Sequence, residues 1–126
     1  MEPRPYGRTD TPDRFAHPAE RAFAGLLERL GVRWQYEPRT FVLERDEARR
    51  VRVACTPDFY LPELDTYVEI TAMRPAHTGR KRRKLRLLVE RHPHLRVRLL
   101  GRRDLQRLGR RYGVPLLGEG PPTDRA

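Results

Sequence analysis

The segment TPDFYLPELDTYVEIT, residues Thr56–Thr71, contains the pattern on which the prediction of the fold depends. Its first acid, Asp58, follows a proline, and its second, Glu69, stands eleven positions later inside an apolar run. The intervening LPELD is typical of a loop between two strands. If the two strands pair through this loop, Asp58 and Glu69 come within reach of one cation. Two carboxylates, a backbone carbonyl such as that of Ile70, and waters are ligands that Mg²⁺ accepts.

The run TYVEIT has the alternation of a strand, in which successive side chains point to opposite faces. Val68 and Ile70 share one face, and both branched side chains favour a core. Glu69 therefore points to the other face, together with Tyr67 and Thr71. A carboxylate in this position is costly to bury unless it has a partner. That partner is either a metal ion or an arginine in an edge-strand salt bridge.

The composition of the chain limits the classes of protein to which it can belong. Its 126 residues are the size of one domain, and its single cysteine, Cys55, excludes an internal disulfide. Serine is absent, which excludes serine hydrolases and serine recombinases. The first residues lack the apolar segment of a signal peptide, and no apolar run is long enough to span a bilayer. We therefore expect a cytoplasmic protein with no membrane partner.

Positive charge is concentrated in one part of the chain. Residues 80–111 contain fourteen Lys or Arg against two acids, a local net charge of +12 within a total of +10. Such a segment is typical of proteins that bind a polyanion, most simply nucleic acid. The alternative is a basic but inert solvated face. The chain has 25 arginines and only two lysines, Lys81 and Lys84, which stand close together.

Apolar periodicity predicts a coarse element order of α-β-β-β-α-β-α. Strands joined as a meander and then by a strand–helix–strand crossover imply an α/β fold with a mixed central sheet flanked by helices. Residues 14–113 are predicted to form a single domain, between a flexible arm at residues 1–13 and a flexible tail at residues 114–126. Helices are predicted over residues 17–31, 78–93 and 102–113. Two short strand-like runs parted by Pro38 cover residues 32–37 and 40–44, and further strands are predicted over residues 48–56, 66–71 and 95–100.

The segment PDFYLPELDTYVEIT resembles the core of the PD-(D/E)XK nuclease superfamily, whose members share the restriction-endonuclease-like fold. Members show a Pro-Asp pair, a hairpin and a Glu-X-Lys strand, and their core order is αβββαβ. The resemblance covers roughly residues 17–104 and implies a metal-dependent endonuclease that hydrolyses phosphodiester bonds in DNA. It implies that Asp58 and Glu69 bind Mg²⁺ or Mn²⁺. Many members also carry a supporting acid in the first helix, where this chain has Glu20.

The chain departs from the family pattern at Thr71, two residues after Glu69. Members carry there a lysine that holds the attacking water or the scissile phosphate, and threonine has no charge for either task. The two lysines of this chain lie at the start of the second predicted helix. Cations in a first turn oppose the helix dipole, so we expect carboxylates or phosphates opposite them. We predict that Lys84, or as second choice Lys81, replaces the missing lysine.

Arginines next to the predicted site are the expected contacts to DNA phosphates. They are Arg74, Arg80, Arg82, Arg83, Arg86, Arg102 and Arg103. Such contacts give an affinity that falls with salt, and they do not read sequence. RNA is an alternative partner, although no aromatic platform for single-stranded RNA is evident. Cleavage of two strands by a domain with one site favours a homodimer.

Two other functions fit the same residues. A nuclease-like module that has lost catalysis would bind nucleic acid as an accessory subunit, and Thr71 is the feature that favours it. A protein-interaction domain would instead use the basic face to bind an acidic protein, and weak, salt-insensitive binding to DNA would favour it. A titration with Mg²⁺ or Mn²⁺ separates the first alternative from the nuclease, since an inactive site need not bind metal.

Overall fold

The computed structural model describes the backbone of residues 15–71 and 75–117 and the side chains of residues 15–71 and 79–117. The predicted arm at residues 1–13 and residues 118–126 of the predicted tail lie outside this range. The described part is a mixed α/β structure with helices α1 (Pro18–Arg29), α2 (Pro75–Arg91) and α3 (Arg102–Tyr112). Its strands are β1 (Gln35–Tyr36), β2 (Phe41–Arg45), β3 (Val51–Cys55), β4 (Phe59–Leu61), β5 (Thr66–Thr71) and β6 (Val97–Gly101). No helix within it is long and apolar enough to cross a membrane.

Four of the strands form a mixed sheet in the order β1-β4-β5-β6. β4 runs antiparallel to both β1 and β5, whereas β5 and β6 run parallel. A parallel pair needs a long crossover connection, and α2 supplies it. β2 and β3 form a separate antiparallel hairpin that is inserted between β1 and β4. The predicted α/β class with a mixed sheet and helices is confirmed at this level.

The strand that pairs with β5 differs from the prediction. The predicted strand over residues 48–56 shortens to β3, ends at Cys55 and pairs with β2. The partner of β5 is β4, a three-residue strand that the sequence pattern did not indicate. Pro57 has no N–H to donate to a ladder, and the chain passes from the hairpin to the central sheet around it. Three residues are too few to show the alternation on which strand prediction depends.

The central sheet has an apolar core on each face. One core contains Val68 and Ile70 of β5 with residues of α1 and α3, and the other contains Tyr67 with residues of α2 and the hairpin. This division confirms the alternation predicted for β5. The ring of Phe59 is fully buried in the first core, where it makes edge-to-face contacts. Its partners are Phe23, Trp34 and Tyr36, at centroid distances of 5.2, 5.8 and 5.5 Å.

α1 begins and ends near the residues that the sequence indicates. His17 caps its start, and the Nδ1 atom of His17 accepts a hydrogen bond from the backbone N–H of Ala19 at 3.0 Å. Pro18 stands in the first turn, where its missing N–H leaves no helical bond unmade. Gly31 follows the helix with a φ of 73°, a backbone conformation that favours glycine. Glu20 lies in the first turn, on the buried face of the helix with Phe23 and Leu27.

The packed domain extends past residue 113, where the predicted tail begins. Gly113 adopts a φ of 71° and ends α3, and the chain then turns back over the helix. Leu116 is 2% exposed and lies in the first core, so this part of the predicted flexible tail is packed. The close return depends on Gly109, because a Cβ atom there would lie 2.5 Å from the carbonyl oxygen of Val114. The sequence prediction missed this because no apolar period marks a single returning turn.

Candidate functional site

Asp58 and Glu69 lie side by side where β4 begins and β5 ends. The backbone N–H of Asp58 donates to Oε1 of Glu69 at 2.9 Å. The backbone N–H of Ile70 donates to Oδ2 of Asp58 at 2.8 Å. Each carboxylate is therefore held by the backbone of the neighbouring strand, and the two residues are only 5% and 6% exposed. The antiparallel pairing of β4 with β5 brings them together, although the partner strand is not the predicted one.

Lys81 of α2 extends to both carboxylates. Its Nζ lies 3.0 Å from Oε2 of Glu69, 3.6 Å from Oδ2 of Asp58, and 2.7 Å from the backbone carbonyl oxygen of Ile70, to which it donates. Three oxygen atoms of three residues thus surround one cationic group. The ammonium group shows where these oxygens converge.

The two lysines differ in their distance from the acid pair. Lys81, rather than the preferred Lys84, contacts the carboxylates, and Lys84 is exposed. The buried face of α2 contains Leu85 and Leu88. Lys81 stands one turn before Leu85 and two turns before Leu88, in line with that face, whereas Lys84 lies at its margin. The spacing of Lys81 and Lys84 from Leu85 and Leu88 could therefore have indicated from the sequence that Lys81 is the lysine closer to the sheet.

Glu20 is buried beside the site and is held by a tyrosine. Its Oε1 accepts hydrogen bonds from the hydroxyl of Tyr36 at 2.6 Å and from the backbone N–H of Ala16 at 3.2 Å. Burial and this bond raise the pKa of Tyr36, so its hydroxyl stays protonated and donates. Within the described residues no three His, Cys, Asp or Glu side chains are placed to hold one metal ion together. Glu20 therefore lies near the pair of acids without completing a three-carboxylate set.

Tyr36 is a further residue of the site, and the sequence does not point to it. Its bond to Glu20 joins two residues sixteen positions apart, on a helix and on an edge strand. No spacing rule links such positions, so the sequence carried no signal for this contact.

Thr71, two residues after Glu69 on β5, turns toward the neighbouring strand. It is 3% exposed, and its hydroxyl donates to the backbone carbonyl oxygen of Leu100 at 3.3 Å. Its side chain thus joins the parallel strands β5 and β6. The cationic group of the site comes instead from α2.

Burial governs the protonation of the site. Burial, helped by the negative charges of Glu69 and Glu20, raises the pKa of Asp58 to about 8, although Lys81 and the Ile70 N–H oppose the shift. Burial also raises the pKa of Glu69, although Lys81 opposes it. Burial alone would lower the pKa of Lys81, but the attraction of Asp58 and Glu69 outweighs it and raises that pKa. The acids outnumber the cation, so the site favours a further positive charge.

Six of the seven predicted phosphate-binding arginines belong to the described residues, and they lie on α2 and at the start of α3. Gly101 of β6 pairs with Thr71, so α3 starts close to the end of β5. The α2 arginines occupy the turns around Lys81. The exposed members are Arg80, Arg82, Arg83, Arg86, Arg102 and Arg103, and Arg74 lies outside the described residues. These arginines thus lie on the helix that carries Lys81 and at the start of the helix that follows β6.

The donor atoms fit a small divalent cation. Oδ2 of Asp58, Oε2 of Glu69 and the carbonyl oxygen of Ile70 all face the position of one ammonium group. Carboxylate and carbonyl oxygens are the ligands that Mg²⁺ and Mn²⁺ take in proteins. Comparison of the chain with protein-family models, with curated proteins and with solved structures finds no match in any of the three.

Proposed function

We propose that this protein is a metal-dependent DNA endonuclease of the PD-(D/E)XK type that hydrolyses phosphodiester bonds. The observation that carries the proposal is the convergence of Asp58, Glu69 and the Ile70 carbonyl on a single cation, in a buried position. Burial of a charged acid lowers the free energy of unfolding unless a cation pairs with it, and buried acids with raised pKa values are common at catalytic sites. Their position beside the basic residues of α2 and the basic start of α3 supports a polyanionic substrate.

The order of elements around the central sheet supports a restriction-endonuclease-like arrangement. Without the β2–β3 hairpin, the chain reads α1, β1, β4, β5, α2, β6, which is the αβββαβ order of that fold. The pairing is antiparallel for the first three strands and parallel for the last pair. In this reading the hairpin is an insertion that packs on α2, and α3 follows the core.

Mg²⁺ or Mn²⁺ held by Asp58, Glu69 and the Ile70 carbonyl would supply a Lewis acid that polarises a phosphate oxygen and lowers the pKa of a bound water. Lys81 is the group that would orient the attacking water or stabilise charge on the phosphate. Glu20, held by Tyr36, would add negative charge that favours cation binding. The exposed arginines of α2 and α3 would contact DNA phosphates.

The test is cleavage of labelled linear, nicked, mismatched and four-way-junction DNA with Mg²⁺ or Mn²⁺. Asp58→Asn is the matched variant, because it keeps the shape of the side chain and removes its charge. We expect cutting by the parent protein and a loss of at least about 100-fold in the variant, with DNA affinity kept within about threefold. Cutting by both proteins, or by neither, would contradict the assignment of this site. Matched RNA substrates and the molecular mass in solution would test the alternatives of RNA as substrate and of a homodimer.

A nucleic-acid-binding accessory module is the second candidate. It is favoured by Thr71, whose side chain bonds to Leu100 and offers no charge, and by Lys81, which already neutralises part of the acid pair. Retained DNA binding with no cutting of any substrate would support it. A protein-interaction domain would instead show weak DNA binding that does not respond to salt.

A further inference from the structure

The ammonium group of Lys81 fills the point that the three oxygens share. Its distances to the Ile70 carbonyl, Glu69 and Asp58 are 2.7, 3.0 and 3.6 Å. Mg²⁺ binds oxygen at about 2.0–2.1 Å, so the same three oxygens would have to lie closer to Mg²⁺ than they lie to the ammonium nitrogen. A divalent ion placed among these oxygens would lie in contact with the ammonium group. Two cations at that separation repel strongly in a buried site.

We propose that Lys81 and a divalent cation compete for this one position, so that Lys81 acts as a tethered cation that the metal must displace. The proposal rests on the metal site of the proposed function. In the metal-free protein Lys81 holds the two buried acids in place. Once displaced, its side chain stays beside the site, where it can contact a phosphate.

The side chain of Lys81 has a path by which to leave. It is 21% exposed, whereas those of Asp58 and Glu69 are 7% and 8% exposed. Its neighbours Arg82 and Arg83 are exposed on the same helix. The flexible four-carbon stem of lysine allows the ammonium group to move into solvent without a shift of the backbone.

The first experiment compares Mn²⁺ binding to the full chain and to two lysine variants by calorimetry. Lys81→Met removes the tethered cation and keeps most of the apolar stem. Lys84→Met is the matched control, because Lys84 is exposed and has no contact with the acids described above. We expect Lys81→Met to bind Mn²⁺ at least about tenfold more tightly than the parent, and Lys84→Met to match the parent. Adding Asp58→Asn to Lys81→Met should remove the gain, which locates the ion.

The second experiment uses the parent protein and does not depend on the folding of a variant. The chain has only two lysines, so a sample labelled with ¹³C at the lysine Cε gives two side-chain NMR signals. The Lys84→Met sample identifies the signal of Lys81. On addition of Mg²⁺ we expect the Lys81 signal to move toward the position of a free lysine and the Lys84 signal to stay in place.

The outcomes separate this inference from the proposed function. Tighter binding in Lys81→Met supports the inference, even if the parent neither binds metal nor cleaves DNA. In that case, retained binding of DNA by the parent would make the accessory module the function. Equal Mn²⁺ affinity in all three proteins, with an unmoved Lys81 signal, overturns the inference and leaves a metal site in place. Absence of Mn²⁺ binding in every protein overturns both.

Discussion

The ammonium nitrogen of Lys81 lies 2.7 Å from the backbone carbonyl oxygen of Ile70, across the gap between α2 and β5. The residue that follows Glu69 on the strand therefore presents a main-chain oxygen to the helix. Because the same nitrogen also reaches Glu69 and Asp58, one side chain joins α2 to both acids and to the backbone of β5. The helix that crosses over the parallel strands thus supplies the charge that Thr71 does not.

Replacement of Lys81 should impair cleavage far more than replacement of Lys84. We expect Lys81→Met to lower the cleavage rate at saturating Mg²⁺ by about 100-fold or more, because it removes the only lysine in contact with the acid pair among the described side chains. Lys84→Met should change it by no more than about threefold, since Lys84 is exposed. Single-turnover cleavage measures both. A larger loss in Lys84→Met would restore Lys84 as the functional lysine.

The metal-free protein should lose stability as the pH rises from about 5 to about 8.5. The pKa of Asp58 is raised to about 8, so between its unfolded value and 8 the folded state binds a proton that the unfolded state has released. The free energy of unfolding therefore falls across this range, by roughly 2–4 kcal/mol from Asp58. Urea unfolding in the presence of EDTA at several pH values measures it.

Asp58→Asn is the control for this pH dependence. Asparagine resembles the protonated acid and does not titrate, so the variant should lose less stability than the parent over the same range. The raised pKa of Glu69 leaves a smaller decrease of the same sign. Parallel curves for the two proteins would show that Asp58 of the folded protein is already ionised at about pH 5, in conflict with its raised pKa.

Two helical glycines should respond in opposite ways to alanine. A Cβ atom at Gly109 would meet the Val114 carbonyl oxygen at 2.5 Å, so Gly109→Ala should lower the free energy of unfolding by about 1–3 kcal/mol. A Cβ atom at Gly25 in α1 would meet nothing within 4 Å, so Gly25→Ala should raise it by about 0.5–1 kcal/mol. Urea unfolding of both variants under one condition checks this. A stable Gly109→Ala protein would mean that the segment after α3 does not pack as described.

The α2 arginines should control the salt dependence of DNA binding. The plot of log affinity against log salt has a negative slope. If Arg82 and Arg83 each contact a phosphate, their joint replacement by alanine makes that slope less steep by about 1.8. Arg29→Ala is the matched control, because Arg29 is exposed in the last turn of α1, about 13 Å along the helix from Glu20. Binding titrations at several salt concentrations give the slopes. An unchanged slope in the α2 double variant would place the DNA elsewhere.

The sequence alone was enough to predict the helices, the class of fold and the neighbouring acids. Periodicity located α1, α2 and α3, because each carries an apolar face long enough to be counted. Alternation along TYVEIT assigned Val68 and Ile70 to a different face from Tyr67, and the two cores confirm it. The spacing of Asp58 and Glu69 around a turn indicated that they lie together, even though the pattern did not indicate β4, the strand that follows Asp58.

The tertiary structure decided what depends on contacts between distant parts of the chain. β4 has only three residues and exists because β1 and β5 pair with it on either side. The bond from Tyr36 to Glu20 and the packing of Leu116 join segments that no local period connects. The sequence determined which residues could carry charge into the site, but the rotation of α2 on the sheet, set by Leu85 and Leu88, decided that Lys81 reaches the acids.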